Sequence, residues 1–98
     1  MLKTTQQVIE QLQSMQPSLK QIYGIEHLWL FGSVARNEAT AFSDLDLLYQ
    51  PSLPLGLELM SLWDELEATF GCKVDLGDVR YVKPRLKASI SKDLIDVF

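Results

Sequence analysis

The chain has 98 residues, of which 47% are hydrophobic and 22% are charged, a composition that predicts one globular domain over residues 1–98 and excludes a disordered chain. The formal net charge of −4 argues against unaided nucleic-acid binding, because that function needs a basic surface. The single cysteine cannot form an internal disulfide, and without a recognisable secretory signal or a long apolar run the sequence predicts a cytoplasmic protein.

Two short helices are predicted in the first quarter of the chain. Thr4 or Thr5 can cap the first helix. Its apolar residues share one helical face: Val8, Ile9, Leu12 and Met15. Pro17 interrupts this helix or occupies the first turn of the next one, whose apolar stripe over residues 19–23 ends at Gly24. We interpret both helices as packing for a sheet.

A short apolar run, Leu28–Phe31, ends at Gly32 and predicts a buried strand followed by a tight turn. Gly32 has no Cβ, so a bulky anion can approach the backbone there. Ser33 follows with a small hydroxyl group at the start of a short helix, where free amides and the helix dipole suit phosphate oxygens. This segment therefore predicts a phosphate-binding turn.

Two carboxylates open the next apolar run. Ten residues separate Ser33 from Asp44, and Asp46 then lies inside the run Leu45–Tyr49. Because side chains alternate along a strand, Asp44 and Asp46 point to the same face. Ionised carboxylates in that arrangement repel each other unless a cation lies between them, and Mg²⁺ prefers one or two carboxylates together with phosphate oxygens. The spacing predicts a magnesium site beside a bound triphosphate.

The loop between these two motif halves carries Arg36, for which two interpretations stay open. Its guanidinium group could steady a triphosphate, or it could pair with a carboxylate and brace the loop. Ser43 is interpreted as a support for Asp44 through a hydrogen bond.

Residues 50–54 contain two prolines and predict a loop, after which Leu55–Phe70 is the longest predicted helix and Gly71 ends it. Its apolar stripe is clear: Leu59, Leu62, Trp63, Leu66 and Phe70. Additional apolar residues widen this stripe at Leu55, Leu57 and Met60. They indicate either deep burial, which we favour, or a contact with another subunit or a partner.

Residues 73–79 predict a third strand, in which Asp75 lies among apolar residues. Burying a carboxylate there is costly without a partner or a metal, so Asp75 is a candidate functional residue. Asp78 is better interpreted as a turn residue. A last helix is predicted from Pro84, with a face formed by Leu86, Ile90, Leu94 and Ile95. The basic cluster Lys83, Arg85 and Lys87 could meet phosphate, RNA or an acidic partner, or could be ordinary surface.

The spacing of Gly32-Ser33 and Asp44-Leu45-Asp46 resembles the signature of the nucleotidyltransferase superfamily that includes DNA polymerase beta. The flanking residues are most similar to the minimal nucleotidyltransferases (MNT), the antitoxin partners in HEPN/MNT toxin–antitoxin pairs, and the resemblance covers most of the chain. One departure is Asn37, where many relatives carry glycine. Asparagine tolerates the left-handed backbone conformation, so we expect no consequence.

The resemblance implies an α/β fold with a small mixed sheet flanked by helices. It also implies a Mg²⁺-dependent enzyme that transfers AMP from ATP to a tyrosine of a HEPN-type toxin RNase, with no direct nucleic-acid or membrane partner. The implied site residues are Asp44, Asp46 and Asp75 for metal binding and catalysis, and Gly32, Ser33 and Arg36 for ATP.

Two alternatives stay open at the level of the sequence. A non-catalytic antitoxin would neutralise its partner by contact alone, through the helix Leu55–Phe70. A transferase acting on a small molecule would need an acceptor pocket, which a chain of this size could form only at a homodimer interface.

Overall fold

The computed structural model describes residues 3–98, which contain one four-stranded β-sheet. The strands are β1 (Ile25–Phe31), β2 (Leu45–Pro51), β3 (Val74–Asp78) and β4 (Ile95–Asp96). In the order β3-β2-β1-β4, β1 runs antiparallel to both of its neighbours, while β2 and β3 are parallel. The predicted α/β fold with a small mixed sheet flanked by helices is confirmed.

The helices within residues 3–98 are α1 (Thr5–Ser14), α2 (Gln16–Tyr23), α3 (Gly32–Ala35), α4 (Glu58–Phe70) and α5 (Pro84–Ile90), with a 3₁₀ turn at Val79–Tyr81. Thr4 caps α1 as predicted. Its hydroxyl group accepts a hydrogen bond from the Gln7 amide at 3.1 Å, and the Gln7 side chain accepts one from the Thr4 amide at 2.9 Å. This reciprocal pair is a capping box, which satisfies two backbone donors at the helix start.

The hydrophobic core lies on one face of the sheet. Alternate residues of the two central strands are fully buried there, and α1, α2 and α4 cover them. The buried strand residues are Leu28, Leu30, Leu45 and Leu47. Because side chains alternate, Phe31, Asp46 and Leu48 lie on the other face, which we call the open face. The core therefore covers one face of the sheet, whereas on the open face Phe31 and Asp46 are partly exposed and Leu48 is buried.

The C-terminal segment differs from the prediction. The helix predicted to reach Leu94 and Ile95 ends at Ile90, and Ile95–Asp96 instead forms β4. Residues of β4 pair with Trp29 and Leu30 of β1. A two-residue strand is too short to show alternation, so only its pairing with β1 reveals it.

Several element boundaries also differ. The strand β1 begins at Ile25, directly after the Gly24 cap of α2, and β2 extends to Pro51, so residues 50 and 51 are not loop. Proline is tolerated at the end of a strand because its missing donor is not needed there. The helix α4 begins at Glu58 rather than Leu55. The Glu58 carboxylate accepts a hydrogen bond from the Gly56 amide at 2.9 Å, and residues 55–57 lie outside the helix.

Across residues 3–98, every helix is too short or too polar to cross a bilayer.

Trp63 of α4 donates a hydrogen bond from Nε1 to the carbonyl oxygen of Val74 and so fixes β3 beside Asp75. Trp63→Phe keeps the aromatic packing but removes the donor. We expect it to lower the free energy of unfolding by about 1 kcal/mol, measured by urea denaturation. Trp29→Phe is the control, because the Trp29 indole nitrogen donates no hydrogen bond within residues 3–98. Equal losses in the two variants would contradict the role of this bond.

Candidate active site

The turn between β1 and α3 brings the backbone of Gly32 against the side chain of Asp46. Gly32 has φ +80°, a conformation that other residues rarely adopt. A Cβ placed on Gly32 would overlap the Asp46 carboxylate. Glycine is therefore favoured at this position by the backbone conformation, and because a Cβ would displace the Asp46 carboxylate.

Two of the three predicted carboxylates, Asp46 and Asp75, lie on the open face of the sheet. In the parallel β2–β3 pair, Asp46 is directly opposite Asp75. Asp44 directly precedes β2 and lies two residues before Asp46. Both Asp75 and Asp44 interact electrostatically with Asp46. The fold thus brings together side chains that are separated by about thirty residues in the chain.

The environment of Asp46 disfavours the ionised form of its carboxyl group. Burial is the largest cause that raises its pKa, to about 6, followed by the charge of Asp75, a hydrogen bond with the Asp75 side chain, and the charge of Asp44. The positive charge of Arg36 acts in the opposite direction. Without a cation, the site therefore holds a proton on Asp46 at mildly acidic pH.

This raised pKa predicts a pH-dependent stability in the absence of divalent cations. Because the pKa of about 6 in the folded chain lies above the ordinary value of 3.8, the folded chain retains the Asp46 proton to higher pH than the unfolded chain. Its contribution to the free energy of unfolding therefore falls as the pH rises from about 4 to about 6. We expect a loss of about 1 to 2 kcal/mol, because solvent screens a half-buried carboxylate.

The measurement compares urea denaturation of the unsubstituted protein and Asp46→Asn at several pH values in EDTA. The difference between the two cancels the titration of other carboxylates. A difference that stays constant from pH 4 to pH 7 would contradict the raised pKa.

Across residues 3–98, no three or more His, Cys, Asp or Glu side chains form a group that could hold a metal ion by themselves. Mg²⁺ commonly takes one or two protein carboxylates and completes its coordination with substrate phosphates and water. The repulsion between Asp46 and Asp75 is what a divalent cation would relieve, so these oxygen donors fit Mg²⁺. The three-carboxylate ligand set stays a prediction.

Ser33 lies in the first turn of α3, and its hydroxyl group has no hydrogen-bond partner within the described residues. The start of α1 holds this short helix in place, because the Thr5 hydroxyl donates a hydrogen bond to the Val34 carbonyl at 2.5 Å. At the end of the turn, Asn37 adopts φ 57°. Asn37 thus adopts the left-handed conformation that asparagine tolerates, and the absence of any consequence for function stays a prediction.

Arg36 is engaged in bracing contacts. Its Nε donates to Glu38 at 3.1 Å and its Nη1 to Asp93 at 2.7 Å, and the hydrogen bonds with these carboxylates raise its pKa. The sequence did not predict Asp93 as a partner, because Asp93 is 57 residues from Arg36 and no local pattern marks it. The bracing interpretation thus describes this structure, and a contact between Arg36 and ATP stays a prediction.

Ser43 does not orient Asp44. Its hydroxyl oxygen instead accepts a hydrogen bond from the Thr40 amide at 2.8 Å, so it shapes the loop before β2, and the predicted role was wrong. Asp78 behaves as the predicted turn residue. It caps the 3₁₀ turn by accepting from the Arg80 amide at 3.0 Å, and hydrogen bonds with the Arg80 side chain lower its pKa.

Comparison with known proteins identifies the family of this chain. Residues 10–98 match the family model described as polymerase beta, nucleotidyltransferase. A protein of Methanocaldococcus jannaschii named "Putative protein adenylyltransferase MJ0128" is 38% identical over 98 residues, which cover 98% of this chain and 100% of the relative.

Solved structures agree with the sequence comparison. One described as a "putative minimal nucleotidyltransferase" is 30% identical, with a TM-score of 0.76 and 96% of each chain covered. Another is a tri-AMPylated HEPN toxin of Shewanella oneidensis in complex with its MNT antitoxin. It has a TM-score of 0.70 over 97% of this chain and 72% of that chain, and at 17% identity it shows the fold alone. The chain belongs to the polymerase beta nucleotidyltransferase family and, within it, is a minimal nucleotidyltransferase of the protein adenylyltransferase type.

Proposed function

We propose that this chain is an antitoxin that uses Mg²⁺ to transfer AMP from ATP to a tyrosine of a HEPN-type toxin RNase and thereby inactivates it. The observation that carries the proposal is the position of Asp46 opposite Asp75, with the Gly32 turn packed against the Asp46 carboxylate. A nucleotidyltransferase needs its phosphate-binding backbone and its carboxylates within the span of one triphosphate. The closeness of the Gly32 backbone, Asp46 and Asp75 therefore supports the proposed transfer reaction.

In the proposed complex, the backbone of Gly32 and the hydroxyl group of Ser33 bind the outer phosphates of ATP. Asp44, Asp46 and Asp75 hold Mg²⁺, which when bound supplies positive charge to the phosphate oxygens. Positioning and charge neutralisation supply most of the catalysis in reactions of this kind. The unpartnered Ser33 hydroxyl and the mutual repulsion of the carboxylates both support these roles.

Asp75 is the proposed base for the attacking hydroxyl group. The tyrosine oxygen forms a bond to the α-phosphorus of ATP as the bond from that phosphorus to the bridging oxygen breaks. Pyrophosphate leaves in line, and the Asp75 carboxylate takes the phenol proton. Asp75 is exposed on the open face, so an acceptor from another protein can reach it.

The acceptor belongs to a separate protein in this proposal, and residues 1–98 act as one minimal nucleotidyltransferase domain. Three features support a protein acceptor: the adenylyltransferase name of a relative, the MNT–HEPN complex among the structural neighbours, and the exposure of Asp75. The proposal includes a cytoplasmic location and excludes direct binding to nucleic acid or to a membrane.

The test incubates the purified chain with ATP, Mg²⁺ and the HEPN-type protein encoded beside it, followed by intact mass spectrometry of both proteins. We expect the partner to gain the mass of AMP on a tyrosine located by peptide mapping, and its RNase activity to fall in parallel. The reaction should stop when EDTA replaces Mg²⁺. An active toxin without added AMP would overturn the proposal.

Two variants distinguish whether Arg36 contacts ATP or only braces the loop. If the guanidinium group contacts ATP, Arg36→Ala should raise the KM for ATP about tenfold, the effect of losing one charge-assisted contact. Asp93→Asn weakens the brace but leaves the guanidinium group in place, so it should leave that KM nearly unchanged. Steady-state kinetics with varied ATP distinguish the two roles. Equal changes in both variants would show that Arg36 acts by bracing alone.

A binding-only antitoxin is the second candidate. The favoured expectation of deep burial is wrong for Leu57 and Met60, which are 89% and 67% exposed at the start of α4. These two exposed apolar side chains favour this candidate. In this case Asp46→Asn would still neutralise the toxin at the same dose without adding AMP. A dose-dependent toxicity assay in cells, with mass spectrometry of the recovered toxin, separates the two functions.

A further inference from the structure

A groove of about 380 Å³ lies on the open face of the sheet and reaches Asp75. Its floor contains Phe31, Leu48 and Gly77 of the three longest strands, and its wall is residues 81–90, which include α5. Asp75 lines the groove as well. The groove therefore opens directly onto the carboxylate that we propose as the base.

The position of the groove relative to the ATP-binding residues indicates what it can hold. Gly32, Ser33, Asp44 and Asp46 do not line the groove, whereas Asp75 does. In an in-line displacement the attacking oxygen approaches the α-phosphorus from the side opposite pyrophosphate. With pyrophosphate at the Gly32 turn and the base on β3, the groove lies on the acceptor side of the reaction.

The lining combines apolar side chains with cations that lack a side-chain partner among residues 3–98. Tyr81 and Leu86 stand 75% and 48% exposed along the wall. Lys83 and Arg85 form no ion pair or hydrogen bond through their side chains within residues 3–98. By contrast, Arg80 is held by Asp78 at 2.7 Å. Unpartnered cations beside an apolar groove, on a chain with net charge −4, are complementary to an acidic protein segment.

We propose that this groove binds the segment of the partner protein that carries the acceptor tyrosine. Apolar side chains of that segment lie against Tyr81 and Leu86, its acidic side chains pair with Lys83 and Arg85, and its tyrosine hydroxyl group points to Asp75. The inference rests on the proposed function and adds to it the surface that selects the acceptor.

The test reverses the two charges in the double variant Lys83→Glu/Arg85→Glu. Both side chains are exposed, and glutamate is favourable near the start of α5, so the fold should be retained. The matched control is Lys20→Glu/Lys92→Glu, which makes the same change in net charge at two exposed positions outside the groove. AMP transfer is measured with the HEPN-type neighbour as acceptor, with the neighbour and ATP varied in turn, and circular dichroism verifies folding.

We expect the groove variant to raise the KM for the partner protein about tenfold relative to the control, with the KM for ATP unchanged. The difference should shrink at high salt, because surface charges are screened. An equal KM for the partner in both variants would overturn the inference while leaving the proposed function intact. A selective rise in the KM for ATP would overturn it too, since the groove would then hold the nucleotide. Absence of transfer by the unsubstituted protein would overturn the proposed function and this inference together.

Discussion

Asp46→Asn is expected to abolish AMP transfer while making the protein more stable. The substitution removes a carboxylate proposed to bind Mg²⁺, whose charge stabilisation is worth several kcal/mol, so kcat should fall by about 10³-fold or more. The same substitution also removes the cost of burying a charged carboxylate and the repulsion from Asp75 and Asp44, which together raise the pKa of Asp46 to about 6. At pH 7.5 without Mg²⁺, we expect a gain of about 1 to 2 kcal/mol in the free energy of unfolding.

Mass spectrometry of the acceptor and thermal denaturation measure the two effects on one preparation. Asp64→Asn is the control, because Asp64 is exposed on α4 and lies outside the carboxylate group. Mg²⁺ with a non-hydrolysable ATP analogue should raise the melting temperature of the unsubstituted protein and have little effect on Asp46→Asn. A folded Asp44→Asn/Asp46→Asn variant that still transfers AMP would refute the catalytic assignment.

Gly32→Ala is expected to leave the protein folded but less stable, and to remove most of its activity. At φ +80°, alanine carries a backbone strain of about 1 to 2 kcal/mol. Its Cβ would also overlap the Asp46 carboxylate, which can move because it is the end of a side chain. The displaced carboxylate no longer faces Asp75, and the turn no longer admits a phosphate. We therefore expect ATP affinity and kcat to fall together, with kcat/KM lower by about 10²-fold or more.

Gly71→Ala provides the matched control for backbone strain. Gly71 has φ +63° at the end of α4, and a Cβ there would meet nothing within 4 Å. The two variants should lose similar free energies of unfolding in urea denaturation, and Gly71→Ala alone should keep full AMP transfer. If both variants transfer AMP equally well, the contact between the turn and Asp46 is not required for activity.

Features formed by residues close together in the chain were predicted more reliably than features formed by distant segments. Gly32, Asp44 and Asp46 lie within one segment, so a short apolar run, a turn residue and strand alternation were enough to predict their local geometry. The helix cap, predicted at Thr4 or Thr5, was equally local and is confirmed at Thr4. The helix through Leu94 and Ile95 was wrong, because helical spacing over a few apolar residues cannot exclude a short strand.

The sequence by itself determined the local elements and the chemistry they carry: a tight turn with a hydroxyl group, and a strand with acidic residues on one face. Only the tertiary structure decided that Asp75 lies opposite Asp46, that Arg36 pairs with Asp93, and that residues 81–90 wall a groove beside Asp75. The physical reason is that strand register and side-chain pairing depend on packing between distant segments. Periodicity along the chain predicts which face of the sheet a side chain takes, but it does not identify the residue that lies opposite in a neighbouring strand.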